Sequence, residues 1–522
     1  MRLALHDLVF ATCVVQATSF QPLTARALSD LYDYIIVGGG TAGLTLASRL
    51  SVDHSHTVLV IEAGMPDDYE AAVMIPRFYP GASGFAPGTR YDWNFTSTPQ
   101  EFLLGQTINL TQGHTVGGSS TVNAMIFDRG MPSNYDAWAA LGNEGWDFAG
   151  LLPYFKKIMN RANLDILTGF QATKLLFNTG GEKPRAMGVE YSTGSGLEVS
   201  RVEARKEVII SAGALNTPKL LQLSGIGPAP LTSKHGILSI IDLPGVGANL
   251  QDHPFGLTIA SLSTEIPGNY ELENSTFDAE QRDLYYSQRK GRWTDTIAEA
   301  LAFIPLSNFT QSDVTSRLLS TINSSTAQYL PQDTDQTVKN GYLQQVQQIL
   351  RMHQLNSTAG MELLYVDGGR SIVNILMHPL SRGTVAINST DPFAPPVIDP
   401  RYLSHPYDGQ VLVESLIFNR KLLATGQVQA LGASETLPGV GTTSDYDILG
   451  FIKGVSSTEY HYAGTCAMLP RRLGGVVDSN LNVYGIDGLR IVDASIMPLL
   501  PSAHTQATVY AIAEKVRWCP YA

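Results

Sequence analysis

Short apolar runs rich in β-branched residues punctuate the chain, each closing on glycine or on a residue with a polar side chain. They are Asp33-Tyr-Ile-Ile-Val37, Thr57-Val-Leu-Val-Ile61, Val208-Ile-Ile-Ser211 and Leu489-Arg-Ile-Val492. Apolar positions that follow one another, rather than alternate with polar ones, predict strands covered on both faces, as in a parallel sheet. Between the first two runs lies Leu44 to Leu50, a stretch of good helix formers. Strand, helix and strand in that order predict an α/β unit. Tyr510 to Lys515 predicts a last helix, which Pro520 cannot continue. No apolar run reaches the ~18 residues that a membrane-spanning helix needs, so none is expected.

The turn after the first strand carries specific chemistry. Gly38-Gly-Gly40-Thr-Ala-Gly43 is a G-x-G-x-x-G sequence between a strand and a helix. Gly38 allows the tight turn, Gly40 lets the backbone approach a pyrophosphate, and Gly43 lets the helix pack on the strand. The helix N-terminus then presents its partial positive charge to phosphate. Glu62 ends the second strand, 19 residues beyond Gly43, where a ribose-binding carboxylate belongs. The motif predicts a dinucleotide without choosing between a flavin and a nicotinamide.

Composition narrows the class. With 16% charged and 44% hydrophobic residues the 522-residue chain reads as globular, and its length predicts two structural regions. A net charge of −12, with no dense Lys/Arg cluster, counts against nucleic acid as a partner. Cys13, Cys466 and Cys519 are too few for a disulfide framework or a structural zinc site. Residues 1–17 read as a short signal peptide: Arg2 is its basic start, Leu8 to Val15 its apolar core, and Val15-Gln-Ala17 its small-residue end. Seven of the 21 asparagines stand in N-x-S/T sequons, at Asn94, Asn109, Asn274, Asn308, Asn323, Asn356 and Asn388. That set, together with the leader, predicts passage through the secretory pathway and export.

Two longer segments carry a family resemblance. Gly113-His-Thr-Val-Gly-Gly-Ser-Ser-Thr-Val-Asn-Ala-Met-Ile-Phe-Asp-Arg-Gly130 resembles the first signature of the glucose–methanol–choline (GMC) oxidoreductases, and Gly213-Ala-Leu-Asn-Thr-Pro-Lys-Leu-Leu-Gln-Leu-Ser-Gly-Ile-Gly227 resembles the second. The likeness runs from about Asp33 to Glu514, and Ser502-Ala-His-Thr-Gln-Ala507 looks most like fungal aryl-alcohol oxidases and related secondary-metabolite enzymes. The resemblance implies an α/β fold: a doubly wound, Rossmann-like FAD domain from residues 30–254 and 461–522, with an inserted α+β substrate domain over 255–460. It places FAD against Gly38, Gly40, Thr41, Ala42, Gly43 and Glu62. Val116, Gly118, Ser119, Asn123 and Ala124 would follow from the first signature, with Ala172, Asp493, Ala494 and Gln506 from elsewhere. Asp493 has a second reading, as a cap for the turn that follows it. Members that bind FAD covalently have a histidine where this chain has Val122, so non-covalent FAD is expected.

The resemblance also makes His461 the general base and His504 the group that holds the alcohol oxygen, although the sequence alone does not say which takes the proton. Imidazole suits both tasks because its pKa lies near neutrality. Tyr460 matches an aromatic that packs on the substrate ring; a buried core tyrosine is the other reading. The expected reaction is oxidation of an aromatic or allylic primary alcohol by hydride transfer to flavin N5, with O₂ or a quinone as acceptor. Two rivals stay open: a cyclase or lyase with structural FAD, and a product inactivated by a shortened coding sequence. The last arises because Arg161-Ala-Asn-Leu164 follows Lys157 almost at once, where the family has several dozen more residues, so part of the substrate domain is expected to be missing near 158–162.

Overall fold

The structure is a computed structural model that describes residues 28–78, 89–154 and 164–516, except Glu265, Pro267, Ile297, Ser325 and Thr326. The leader at 1–17, the connector near 158–162 and the chain beyond 516 lie outside the described residues.

The four predicted strands lie in one mixed sheet with three that the sequence reading did not predict. Its first six strands in chain order are β1 (Leu31–Val37), β2 (Val58–Glu62), the unpredicted β3 (Leu164–Thr168), β4 (Gln171–Asn178) and β5 (Arg185–Ser192), and β6 (Ser200–Ile210). Their spatial order is β3-β2-β1-β6-β5-β4, and the late strand Leu489–Ile491 pairs with β6. The pairs β3–β2, β2–β1, β1–β6 and β6–Leu489 are parallel, whereas β4, β5 and β6 form an antiparallel meander. Val37 stands opposite both Ile61 and Ile210, so the carboxyl ends of three central strands open together at Gly38, Glu62 and Ser211. Ligands of open α/β sheets bind in such crevices.

The helix α1 (Thr41–Leu50) packs beneath this edge and is tied to the last helix, Gln506–Val516, by a buried pair. Arg49 Nε and Nη2 donate to the Glu514 carboxylate at 2.6–2.8 Å. That last helix begins at Gln506, four residues before the predicted start.

A second, antiparallel sheet is built from residues 254–458. Its order is Ala298–Ile304, Met361–Val366, Ser371–Leu376, Pro254–Ser261 and Ser434–Leu437, with Ser457–Thr458 beside Pro254. Strand period 2 puts Glu362, Leu364 and Val366 on one face, and Leu364 and Val366 line the crevice of the first sheet. No described helix is long and apolar enough to cross a membrane.

Candidate active site

Between the sheets runs a continuous cleft of about 490 Å³, from Gly38, Gly40 and Glu62 at one end to His461 and His504 at the other. At the first end two glycine loops cross. Gly38 has φ +102°, and a Cβ there would stand 2.4 Å from the Ser211 carbonyl oxygen. A Cβ on Gly118 would stand 2.7 Å from Gly40 Cα, whereas one on Gly40 would meet only Gly118 Cα, at 3.7 Å. Gly40 is therefore a place where protein tolerates a side chain and the space in front of it need not. Gly43 lies outside the cleft lining: a Cβ there would strike the Gly38 carbonyl at 1.9 Å, so its smallness serves helix–strand packing. Val116 also lies outside it, with its N–H donating to the Met65 carbonyl.

Glu62 is buried, and its two carboxylate oxygens accept from Gly39 N at 2.6 Å and Gly64 N at 2.7 Å. Burial pushes its pKa up to about 7 against those bonds. Thr41 and Ala42 line the cleft at the start of α1, and the Thr41 hydroxyl shares a 2.6 Å hydrogen bond with Ser120. Gln506 Nε2 donates to Ser120 Oγ, and Asn123 Nδ2 donates to Gln506 Oε1, each at 3.0 Å. This chain of side chains ties the glycine helix to the last helix along one wall. Ser119, Ala124 and Ala172 complete the predicted lining on this side.

Asp493 and Ala494 line the cleft where the late strand ends. The Asp493 carboxylate accepts from Gly213 N, Thr217 Oγ1 and Ser495 N at 2.6–2.9 Å. The capping reading thus describes its side chain, which anchors the helix Gly213–Leu223 while sitting at the cleft wall. That helix also contributes two polar side chains to the lining that the sequence reading passed over. Asn216 Nδ2 is buried without a hydrogen-bond partner among the described residues. Lys219 is pushed down to about 8 by burial, which Asp391 partly offsets.

The histidine end is held from two sides. The Asp252 carboxylate accepts from His461 N at 2.8 Å and His253 N at 2.9 Å through Oδ1, and from the Tyr402 and Thr458 hydroxyls at 2.5 Å through Oδ2. This pins the loop that carries Tyr460 and His461. Tyr460 adopts φ +62° and is half exposed, so its ring stands at the cleft rather than in the core. His461 Nδ1 lies 2.9 Å from His253 Nδ1. Opposite, His504 N donates to Asp128 Oδ1 at 2.9 Å and His504 Nδ1 lies 3.0 Å from Asp128 Oδ2. The carboxylates of Glu362 and Glu459 each stand 3.8 Å from His504 Nε2. The His461 and His504 ring centroids are 5.1 Å apart and the rings are nearly perpendicular, at 88°.

Electrostatics set the two rings apart. Burial lowers His461 well below the ordinary histidine value, and the neighbouring His504 and His253 lower it further. Burial also works against a charge on His504, but Asp128, Glu362 and Glu459 outweigh it and hold its pKa at about 9. These opposite shifts favour an uncharged ring at His461 and a protonated one at His504. Asp128, His253, Glu362 and Glu459 were not legible as site residues. Asp128 lies within the first signature and Glu459 two residues before His461, but nothing local tells either from a surface acid.

Residues 32–161 and 153–255 match the N-terminal domain of the GMC oxidoreductases, and residues 379–513 match the C-terminal domain. The chain is a GMC oxidoreductase. It is 32% identical to the dehydrogenase xptC of Emericella nidulans, over 93% of this chain and 92% of that one. It is 29% identical to a patulin synthase of Aspergillus clavatus, over 97% and 96%. Among solved structures, an FAD-dependent oxidoreductase from Chaetomium thermophilum superposes with a TM-score of 0.87 at 32% identity, covering 93% of this chain and 98% of that one. A fungal aryl-alcohol oxidase superposes with a TM-score of 0.86 at 31% identity, covering 94% and 98%. As a GMC oxidoreductase with FAD-dependent neighbours, the chain is an FAD enzyme. The cleft fits that cofactor: the Gly38, Gly40 and Gly118 crossing leaves room where a pyrophosphate would sit at a helix N-terminus, Glu62 lines the same end where it would meet the ribose, and the unpartnered Asn216 amide lines the same cleft.

Proposed function

We propose that this GMC oxidoreductase converts an aromatic or allylic primary alcohol to an aldehyde, with His461 as base and His504 as the oxygen-holding cation. The observation that carries the reading is the perpendicular histidine pair at the end of the dinucleotide cleft, with burial favouring the neutral form of His461 and nearby carboxylates favouring the charged form of His504. Bound FAD supplies the two-electron hydride acceptor. His504, as a cation, donates to the alcohol oxygen and so favours the developing alkoxide. His461 then removes the hydroxyl proton. The same positive charge that lowers His461 basicity also acidifies the alcohol. Phe255, Leu364, Val366, Val373 and Ile126 supply an apolar wall, and Tyr460 a ring at its edge, which supports an unsaturated substrate rather than a sugar.

FAD is held without a covalent bond in this reading, because Val122 offers no nucleophile at the signature loop. Release of all flavin into the supernatant on acid precipitation checks this. The acceptor is O₂ or a quinone, distinguished by oxygen uptake against quinone bleaching. Secretion and glycosylation are part of the proposal: all seven sequon asparagines are exposed, and a glycosidase-sensitive mass on the secreted protein tests them. The named patulin synthase relative supports a place in secondary metabolism.

The decisive experiment is anaerobic addition of primary aryl and allylic alcohols to the purified flavoprotein. Bleaching of the flavin bands is the expected result. Turnover of an alcohol with the bands intact would favour cyclisation or lyase chemistry and overturn the reading.

A further inference from the structure

Asp128 holds the His504 ring, but burial of its own neighbours does not hold Asp128, because Phe127 and Arg129 on either side are exposed. The segment is anchored immediately afterwards. Gly130 passes so close to the chain before His504 that a Cβ on it would stand 2.8 Å from Pro501 Cβ. Two side chains of the helix Pro132–Ala140 tie the segments together there. Asn134 Oδ1 accepts from Met131 N at 2.9 Å and from Ser502 N at 3.0 Å. The Tyr135 hydroxyl accepts from Gly130 N at 3.0 Å and lies 2.9 Å from Thr508 Oγ1. Asp128 stands two residues before Gly130, and His504 two residues after Ser502.

Asn134 does more than cap its own helix. The bond to Met131 N is the return half of a capping box, and a cap needs nothing further. The bond to Ser502 N joins residues 368 positions apart and belongs to no helix. Both partners are backbone N–H groups, which only donate, so the atom facing them is the amide oxygen. The amide nitrogen is engaged as well. Nδ2 donates to Thr358 Oγ1 at 2.9 Å, and Thr358 Oγ1, Ser502 Oγ and His378 Nε2 lie 2.7–2.9 Å from one another. Asn134 is buried, so its oxygen and nitrogen fix the Ser502 backbone where water cannot substitute for either bond.

We propose that Asn134 is a positioning residue that holds the Asp128 segment and the His504 loop in the register that puts the Asp128 carboxylate on both His504 N and His504 Nδ1. The contact does not depend on the alcohol-oxidation reading, whereas its effect on rate does. The other titratable groups that face His504 come from other elements. Glu362, on the second sheet, and Glu459, after Thr458, face Nε2, and the His461 ring stands perpendicular to the His504 ring. They remain when the Asn134 tie is cut.

The test is a pH titration of His504 in holoenzyme labelled with ¹⁵N-histidine, with its signal assigned through a His504→Asn variant. Asp128→Asn is expected to lower the midpoint by about one to two pH units, and Asn134→Ala by roughly half as much. In the double variant the Asn134 substitution is expected to add nothing, because Asn134 acts through Asp128. Asn134→Ser is expected to match Asn134→Ala. Its hydroxyl is one atom short of the Asn oxygen but still available to Met131 N, so it replaces the Ala variant should that fail to fold. A midpoint that stays at the wild-type value in the folded variant overturns the proposal and leaves Asn134 a helix cap. So does a fall of equal size with and without the Asp128 charge. The alkaline limb of anaerobic flavin reduction by benzyl alcohol is expected to move with the midpoint. If no primary alcohol reduces the wild-type flavin while the titration behaves as expected, the alcohol reading fails and the positioning of Asp128 stands.

Discussion

Asp128→Asn isolates the charge that keeps His504 protonated. The wild-type carboxylate bonds both the His504 backbone N–H and its Nδ1; the amide keeps the shape and loses the charge. A hydrogen bond between charged groups contributes about 1.5–3 kcal/mol, and a tenfold change in proton affinity corresponds to about 1.4 kcal/mol. His504 should therefore fall from about 9 by about one to two pH units. Because the cationic form is the useful one, flavin reduction in the wild type should be lost as pH rises through about 9. In the variant that limb should move toward neutrality, while the rate at low pH changes far less. Anaerobic stopped-flow reduction across pH 6–10, with an alcohol that bleaches the wild type, reads both limbs. An alkaline limb that stays in place would refute the role of Asp128, and with it the electrostatic account of His504. Stability follows the same sign. The folded protein binds this proton more tightly than the unfolded chain, so the contribution is full below the ordinary value of 6.5 and is lost as pH rises through about 9. The gap corresponds to about 3 kcal/mol, visible as a falling Tm over that window.

Three further outcomes are expected. His461→Ala should keep its flavin and lose about 10²–10⁴ in reduction rate; near-normal reduction would remove His461 from the base position. Gly40→Val should fold but fail to retain FAD, because a Cβ there meets protein only at 3.7 Å; a purified variant with a full flavin spectrum would reject the pyrophosphate placement. Glu514→Ala should leave the Arg49 guanidinium buried without its anion, at a cost of about 3–5 kcal/mol measured by denaturant unfolding.

Local pattern sufficed wherever one segment carries its own constraint. The run Asp33–Val37 had to be a covered strand because it offers no polar face, and Gly38 and Gly43 had to be glycine because a Cβ at either would strike backbone. Glu62, His461 and His504 were legible because each sits in a motif whose context is short in sequence. Gly43 and Val116 show the limit of that reading: both belong to the glycine segments, and neither reaches the cleft wall. The charge states of the histidines were beyond it altogether. His504 is biased toward its protonated form because Asp128, Glu362 and Glu459 converge on it from 376, 142 and 45 residues away in the chain. His461 is neutral because burial and two other imidazoles surround it, one of them 208 residues earlier. Proton affinity depends on distance and solvent exclusion, and those quantities exist only once the chain has folded. Sequence determined which residues could do the chemistry; tertiary structure decided the charge each one carries.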